Sequence, residues 1–312
     1  MTAQADIPFD RLAARAEQRG GRPDRFFFSR PKLRGYAMVS PAVLLMTIGI
    51  LGPVLVMIVM SFWTADGFGF NRSITSANFA RIVHEPIFMT FLLRSFWIAG
   101  IATLITVVLC YPMAYYVAFH VKQRKMLWII LMTLPFWSSY LIRVFAWKVI
   151  LGFEGAINTG LMAVGLIDQP MEFLLYSQTA VVITLCHAWA AFALLPLYIA
   201  LESIDRSYLE AAADLGDGPV KRFLRITLPL SMPGVIAAAL MIFIPTTGDY
   251  ITAYLVGGPD SPMIGQLIYL QFGVINNWPM GAALSVTLML WVGAIIFAFT
   301  KLTRARLVDT LV

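Results

Sequence analysis

Charge is what this chain has least of. Only 13% of its 312 residues are Asp, Glu, Lys or Arg, while 59% are hydrophobic. Ordinary water-soluble domains carry about 25% charged residues. So few charges cannot cover a water-facing surface, and a soluble globular fold is excluded. Cysteine is scarce as well. Cys110 and Cys186 each sit inside an apolar stretch, where a free thiol packs as a small hydrophobe, so no disulfide framework or thiolate metal site is expected. His84, His120 and His187 are far apart in sequence, and no metal or hydrolase pattern forms around them. None of Lys32, Lys122, Lys125, Lys148, Lys221 and Lys301 follows a glycine. The Gly-x-x-x-x-Gly-Lys-Ser/Thr loop that cradles phosphates is therefore missing. The chain itself is not expected to be an enzyme or to hold a cofactor.

What is abundant is long apolar sequence. A spanning helix needs about 20 mainly apolar residues. Stretches of that kind run over Tyr36–Trp63, Phe88–Phe119, Leu127–Leu151, Gln178–Leu201, Pro233–Leu255 and Gly281–Thr300. The expectation is an all-α membrane protein with six transmembrane helices in one domain, residues 36–306. No internal repeat is visible, which argues against a self-sufficient ion-coupled transporter, since such folds are commonly built from repeats. Residues 1–35 hold Arg11, Arg15, Arg19, Arg22, Arg25, Arg30, Lys32 and Arg34, in the place where a cleaved signal would have its apolar core. They read as a basic cytoplasmic tail, disordered or lying on anionic lipid. Residues 307–312 read as a short C-terminal tail.

The positive charge follows topology, so the net charge of +6 points to the lipid bilayer and not to nucleic acid. Cytoplasmic loops collect Lys and Arg. The N-terminal tail is basic, as are His120–Lys125, the loop with Arg206, Lys221, Arg222 and Arg225, and the end with Lys301, Arg304 and Arg306. The connection 152–177 has Glu154, Asp168 and Glu172 and no Lys or Arg. Both termini and the Arg206–Arg225 loop are expected in the cytoplasm. Trp63, Trp128 and Trp278 fall at span ends, as interfacial anchors do.

That cytoplasmic loop, about 203–229, is patterned. Asp205 or Ser207 can cap a helix start, and Ser207-Tyr208-Leu209-Glu210 fits a capping box. Leu209–Ala213 has high helix propensity, Gly216 suits a left-handed helix stop, and Pro219 can open a second helix. Pro229 and Pro233 are expected to redirect the chain into the fifth span. A short helix, a turn and an amphipathic helix tied to a span can turn a partner's motion into helix tilt. The spacing Glu210-Ala211-Ala212…Gly216…Ile226-x-Leu228-Pro229 resembles the coupling loop of the membrane subunits of bacterial ATP-driven (ABC) importers. The resemblance implies that Glu210, Ala211, Ala212, Gly216, Ile226, Leu228 and Pro229 meet an ATPase subunit.

Ionisable groups inside spans are costly and mark function by default. Arg143 follows Pro135-Phe136-Trp137-Ser138-Ser139-Tyr140, and is expected to hold a carboxylate or helix-end carbonyls. Asp249 follows Pro245-Thr246-Thr247-Gly248, a run expected to open the fifth helix. Freed backbone of that kind must line a wet cavity or be buried in protein, and Asp249 and Tyr250 are expected to face the opening. Trp137, Tyr140, Trp147 and Tyr250 could offer faces to ammonium groups. Glu154 and its acidic neighbours would attract a polycation. Leu134–Trp147 and Gly248-Asp249-Tyr250…Gly257-Gly258-Pro259 resemble the spermidine/putrescine branch of type I importer permeases, the likeness running from about Tyr36 to Arg306. It implies a permease subunit of the bacterial inner membrane. The implied partners are two ATPase subunits carrying ATP and Mg, a second, related permease and a periplasmic solute-binding protein. A small cationic solute such as a polyamine is implied, with other small solutes carried by the same branch as the alternative.

Overall fold

The computed structural model describes residues 31–67, 69–259 and 261–311. The basic tail up to residue 30, and Asp260, lie outside them. The chain divides into two units, Met1–Met57 and Ile58–Val312. The first contributes most of helix α1, Pro31–Ser61. This helix starts inside the stretch read as tail, and its Met38–Ser61 segment has a mean hydropathy of 2.7.

The second unit begins in the last turn of α1, at Ile58. Strands β1 (Thr64–Asp66) and β2 (Gly69–Asn71) form a short antiparallel hairpin that pairs Thr64 with Asn71. Helix α2 (Ala77–His84) follows. Its buried Asn78 donates to the carbonyls of Ser61 and Trp63 at 3.0 and 2.7 Å, satisfying acceptors at a helix end that would otherwise lack partners. Sequence periodicity gave no sign of this small cap, because its elements are too short to show a period.

Helices α3 (Pro86–Phe119), α7 (Gln178–Glu202) and α10 (Leu228–Thr247) make the centre. Their contact faces are small: Ala114, Ala193 and Ala238 are fully buried among Leu197, Leu201 and Ile242. Small side chains let helix backbones approach closely where water supplies no driving force. At Gly234 of α10 the approach is closest. A Cβ there would run into the Ala200 side chain and the Pro196 carbonyl of α7. A second cluster joins Phe88 and Leu92 of α3 to Ile264 of α12 (Ile264–Gly273) and Met280 and Leu284 of α13 (Trp278–Leu311). Helix α13 runs on through residues 307–311, where a separate tail was expected.

Five helices among the described residues are long and apolar enough to span a membrane. Counted as one span, a bent pair of helices makes the sixth. The third span is not one rod as expected over Leu127–Leu151. Helix α4 (Lys125–Thr133) runs into a 3-10 turn, Leu134–Trp137, and α5 (Tyr140–Ile150) leaves at 81°. Ser138 and Ser139 are extended at the bend, with ψ of 156° and 141°. Pro135 lies within the turn and has no N–H to give to a helical ladder, while Leu134 before it stays helical. Helix α6 (Ala156–Ala163) lies in the connection that follows.

Candidate functional site

The loop singled out by its spacing forms an elbow. Helix α8 spans Arg206–Asp214. Its cap is Asp205, whose carboxylate accepts from Ser207 N–H at 2.9 Å, so Ser207 does not act as the cap. These hydrogen bonds hold the exposed Asp205 carboxyl below the usual carboxylate range. The helix stops at Gly216, where φ is +83°. Gly216 N–H bonds the Ala213 carbonyl and Asp217 N–H the Ala212 carbonyl, at 2.9 and 3.0 Å, the paired arrangement that closes a helix end on a left-handed residue. Asp217 faces Lys221 at 3.3 Å and Arg225 at 3.7 Å, and Arg222 reaches back to the Leu209 carbonyl at 3.5 Å.

Helix α9 (Pro219–Arg222) passes through a π-helical turn, Phe223–Thr227, into α10 without a break. Pro229 and Pro233 therefore do not redirect the chain. Leu228 N–H bonds the Phe223 carbonyl, one residue further back than in an α-helix. Such wide turns reshape the ladder around a disruption, here just before Pro229, which has no N–H to give. The elbow is thus continuous with the fifth span over Pro219–Thr247. Its root is pinned to α3: Tyr111 meets Phe223 edge-on at 5.8 Å, and its hydroxyl lies 2.8 Å from that of buried Ser231. These contacts are between residues distant in sequence, and no local signal marked Tyr111 or Ser231.

Between α8 and the root of α10 lies a groove of about 900 Å³. Tyr208, Ala211, Ala212, Leu215, Ile226 and Pro229 line it. The geometry brings together four of the seven residues of the spacing motif. Glu210 is exposed beside them, Gly216 makes the turn, and Leu228 lies in the root outside the groove. The surface is apolar, with Arg225 at its lining.

The second constellation lies where two spans break. Helix α10 ends at Thr247 and α11 (Ile251–Val256) restarts after Gly248, Asp249 and Tyr250, as the glycine and proline predicted. Asp249 is 8% exposed. One carboxyl oxygen accepts from Thr252 N–H at 2.7 Å, and the other accepts from the Tyr140 hydroxyl. Asp249 thus caps α11 from a buried position and does not face the opening with Tyr250. Arg143 donates to the carbonyls of Phe136 and Ser138 at 2.7 and 2.6 Å, closing the bend of the third span. Of the two partners expected for it, the helix-end carbonyls are the ones it holds.

Tyr250 points elsewhere. Its ring stacks on Tyr269 with centroids 5.0 Å apart and planes 11° from parallel. Together with Leu141, Phe145 and Tyr254 they line a recess of about 300 Å³. Trp137 is 78% exposed, and Trp147 packs edge-on against His187 at 5.5 Å. Glu154 is exposed in the connection 152–177, as are Asp168 and Glu172.

Comparisons with known proteins cover most of the described architecture. The chain is 37% identical over 257 residues to the spermidine/putrescine transport system permease protein PotB of Haemophilus influenzae, covering 82% of this chain and 89% of that one. It is 36% identical to PotB of Escherichia coli K12, over 81% of this chain and 91% of the relative. Among solved structures, a bacterial alginate ABC transporter in complex with an alginate-bound periplasmic protein superposes with a TM-score of 0.70 at 17% identity, over 87% of this chain and 94% of that one. That likeness shows the fold of type I importer permeases. The family model described as binding-protein-dependent transport system inner membrane component matches residues 37–302. The chain belongs to this family, as a multi-pass membrane permease subunit of an ABC importer.

Proposed function

We propose that the chain is one of two related permease subunits of an importer in the bacterial inner membrane, and that the solute is a polyamine of the spermidine or putrescine kind. The likeness to PotB permeases over four fifths of the chain carries the solute. Two features of the chain support it. The outer connection 152–177 has exposed Glu154, Asp168 and Glu172 with no Lys or Arg, and an acidic mouth raises the local concentration of a polycation. The stacked Tyr250 and Tyr269 give the recess at the broken fifth span an aromatic wall, which attracts ammonium groups.

Both termini lie in the cytoplasm, and the Glu210–Pro229 elbow docks on one of two ATPase subunits, which bind ATP and Mg. A periplasmic binding protein delivers the solute to the outer face. When the ATPase pair closes, the elbow moves, and because α9 and α10 are continuous the fifth span moves with it. The test is reconstitution in proteoliposomes with the ATPase, the second permease and candidate binding proteins. Spermidine or putrescine with its binding protein should stimulate ATP hydrolysis and accumulate inside. Stimulation by a neutral or anionic solute alone would overturn the polyamine reading. Hydrolysis that never responds to any binding protein would overturn the importer reading.

A further inference from the structure

Two membrane spans are broken, and one half-buried side chain joins the breaks. The bend in the third span is closed locally by Arg143, which holds the Phe136 and Ser138 carbonyls. The break in the fifth span is closed locally by Asp249, which holds Thr252 N–H. Tyr140 is the first residue of α5. Its hydroxyl donates to Asp249 and lies 2.7 Å from the Thr252 hydroxyl. The start of α5 is therefore bonded to the start of α11. Both partners of the Tyr140 hydroxyl are sheltered, Thr252 fully buried and Asp249 nearly so. Helix α12 presses on the same point, since a Cβ at Gly265 would collide with the Gly248 carbonyl.

The placement matters mechanically. Pro219–Thr247 is one continuous helix from the elbow to the break, so displacement of the elbow arrives at Gly248. A backbone break can absorb that displacement or pass it on. Apolar packing of α11 on α5 through Val144 and Val256 resists separation but has no direction, whereas a hydrogen-bonded cluster fixes register.

We propose that Tyr140 is a positioning residue that locks the two breaks together, so that α5 and α11 travel as one gate when the fifth span moves. The inference rests on membership of the importer family and is independent of which solute is carried. If correct, removing the Tyr140 hydroxyl leaves assembly intact and lets the fifth span move without carrying α5.

The experiment uses the complete importer in lipid nanodiscs, with Cys110 and Cys186 replaced by alanine. Spin labels are attached at Val149 of α5 and Tyr254 of α11, both well exposed. Pulsed electron resonance reads their separation in the nucleotide-free and vanadate-trapped states. With Tyr140 present, one narrow distance common to both states is expected. In Tyr140→Phe the distribution should broaden and differ between states, while the solute moved per ATP falls about 2- to 30-fold at unchanged half-saturation by the binding protein. An unaltered narrow distance in Tyr140→Phe overturns the proposal. So does a lost half-saturation with normal solute per ATP. Should Tyr140→Phe assemble poorly, Asp249→Asn, whose amide can still bond the Tyr140 hydroxyl, is compared with Asp249→Ala. A narrow distance in the first and a broad one in the second supports the lock, and equal distributions overturn it.

Discussion

The hydroxyls of Tyr111 and Ser231 lie 2.8 Å apart, joining α3 to the root of α10 where the elbow enters the membrane. Tyr111 also packs on Phe223 in the π-helical turn. Tyr111→Phe keeps the ring and removes the bond, leaving the buried Ser231 hydroxyl its local bond to the Leu228 carbonyl. The expected cost is about 1 kcal/mol, read as a lower melting temperature of the purified complex. Ser231→Ala should cost a similar amount, and the double variant no more than either alone, because both changes remove one interaction.

Gly234 allows the closest approach in the core. Gly234→Ala places a methyl group against Ala200 and the Pro196 carbonyl. Overpacking of this kind costs about 1–3 kcal/mol. The assembled fraction on size-exclusion chromatography should fall, and Gly234→Val should abolish assembly. Pairing Gly234→Ala with Ala200→Gly should recover part of the loss.

The left-handed turn at Gly216 sets the direction of the elbow. With φ at +83° and open space around its α-carbon, the penalty for a side chain is conformational, about 1–2 kcal/mol. Gly216→Val should reduce transport and ATPase stimulation without reducing the amount of protein in the membrane. Gly216→Asn should be milder, because Asn tolerates the left-handed region. Equal transport in all three proteins would contradict the role given to the turn.

Much of this was legible in the sequence. Spans two, four and six appear close to their apolar runs, because length and hydropathy decide them. The break at Gly248 followed from local chemistry, as did the stop at Gly216, and the carbonyls held by Arg143 were one of the two kinds of partner expected. The bend of the third span did not, since Leu127–Leu151 is mainly apolar along its whole length and apolarity is blind to direction. Pro229 and Pro233 were misread because the helix runs on through both, and the π-helical turn just before Pro229 is not encoded by any single residue. Asp249 was expected to face open space. Its partner Tyr140 is 109 positions away, beyond any local pattern.

The Asp205 cap carries a pH signature. Its carboxyl is depressed by the hydrogen bonds to Ser207. A depressed carboxylate contributes stability above its unfolded value, and that contribution is lost as pH falls through the folded value. Protection of the first turn of α8 against hydrogen exchange should hold at neutral pH and decline below about pH 4. Asp205→Asn still caps and should lose the pH dependence while keeping the protection.

The central claim is that the Glu210–Pro229 elbow meets the ATPase inside the cell. A cysteine at position 210, in a chain lacking Cys110 and Cys186, tests it in intact cells and in purified complex. It should resist a membrane-impermeant maleimide added from outside and cross-link to the ATPase subunit, with solute uptake arrested by the cross-link and restored when it is cleaved. Labelling from outside, or a cross-link that leaves uptake at full rate, would contradict it.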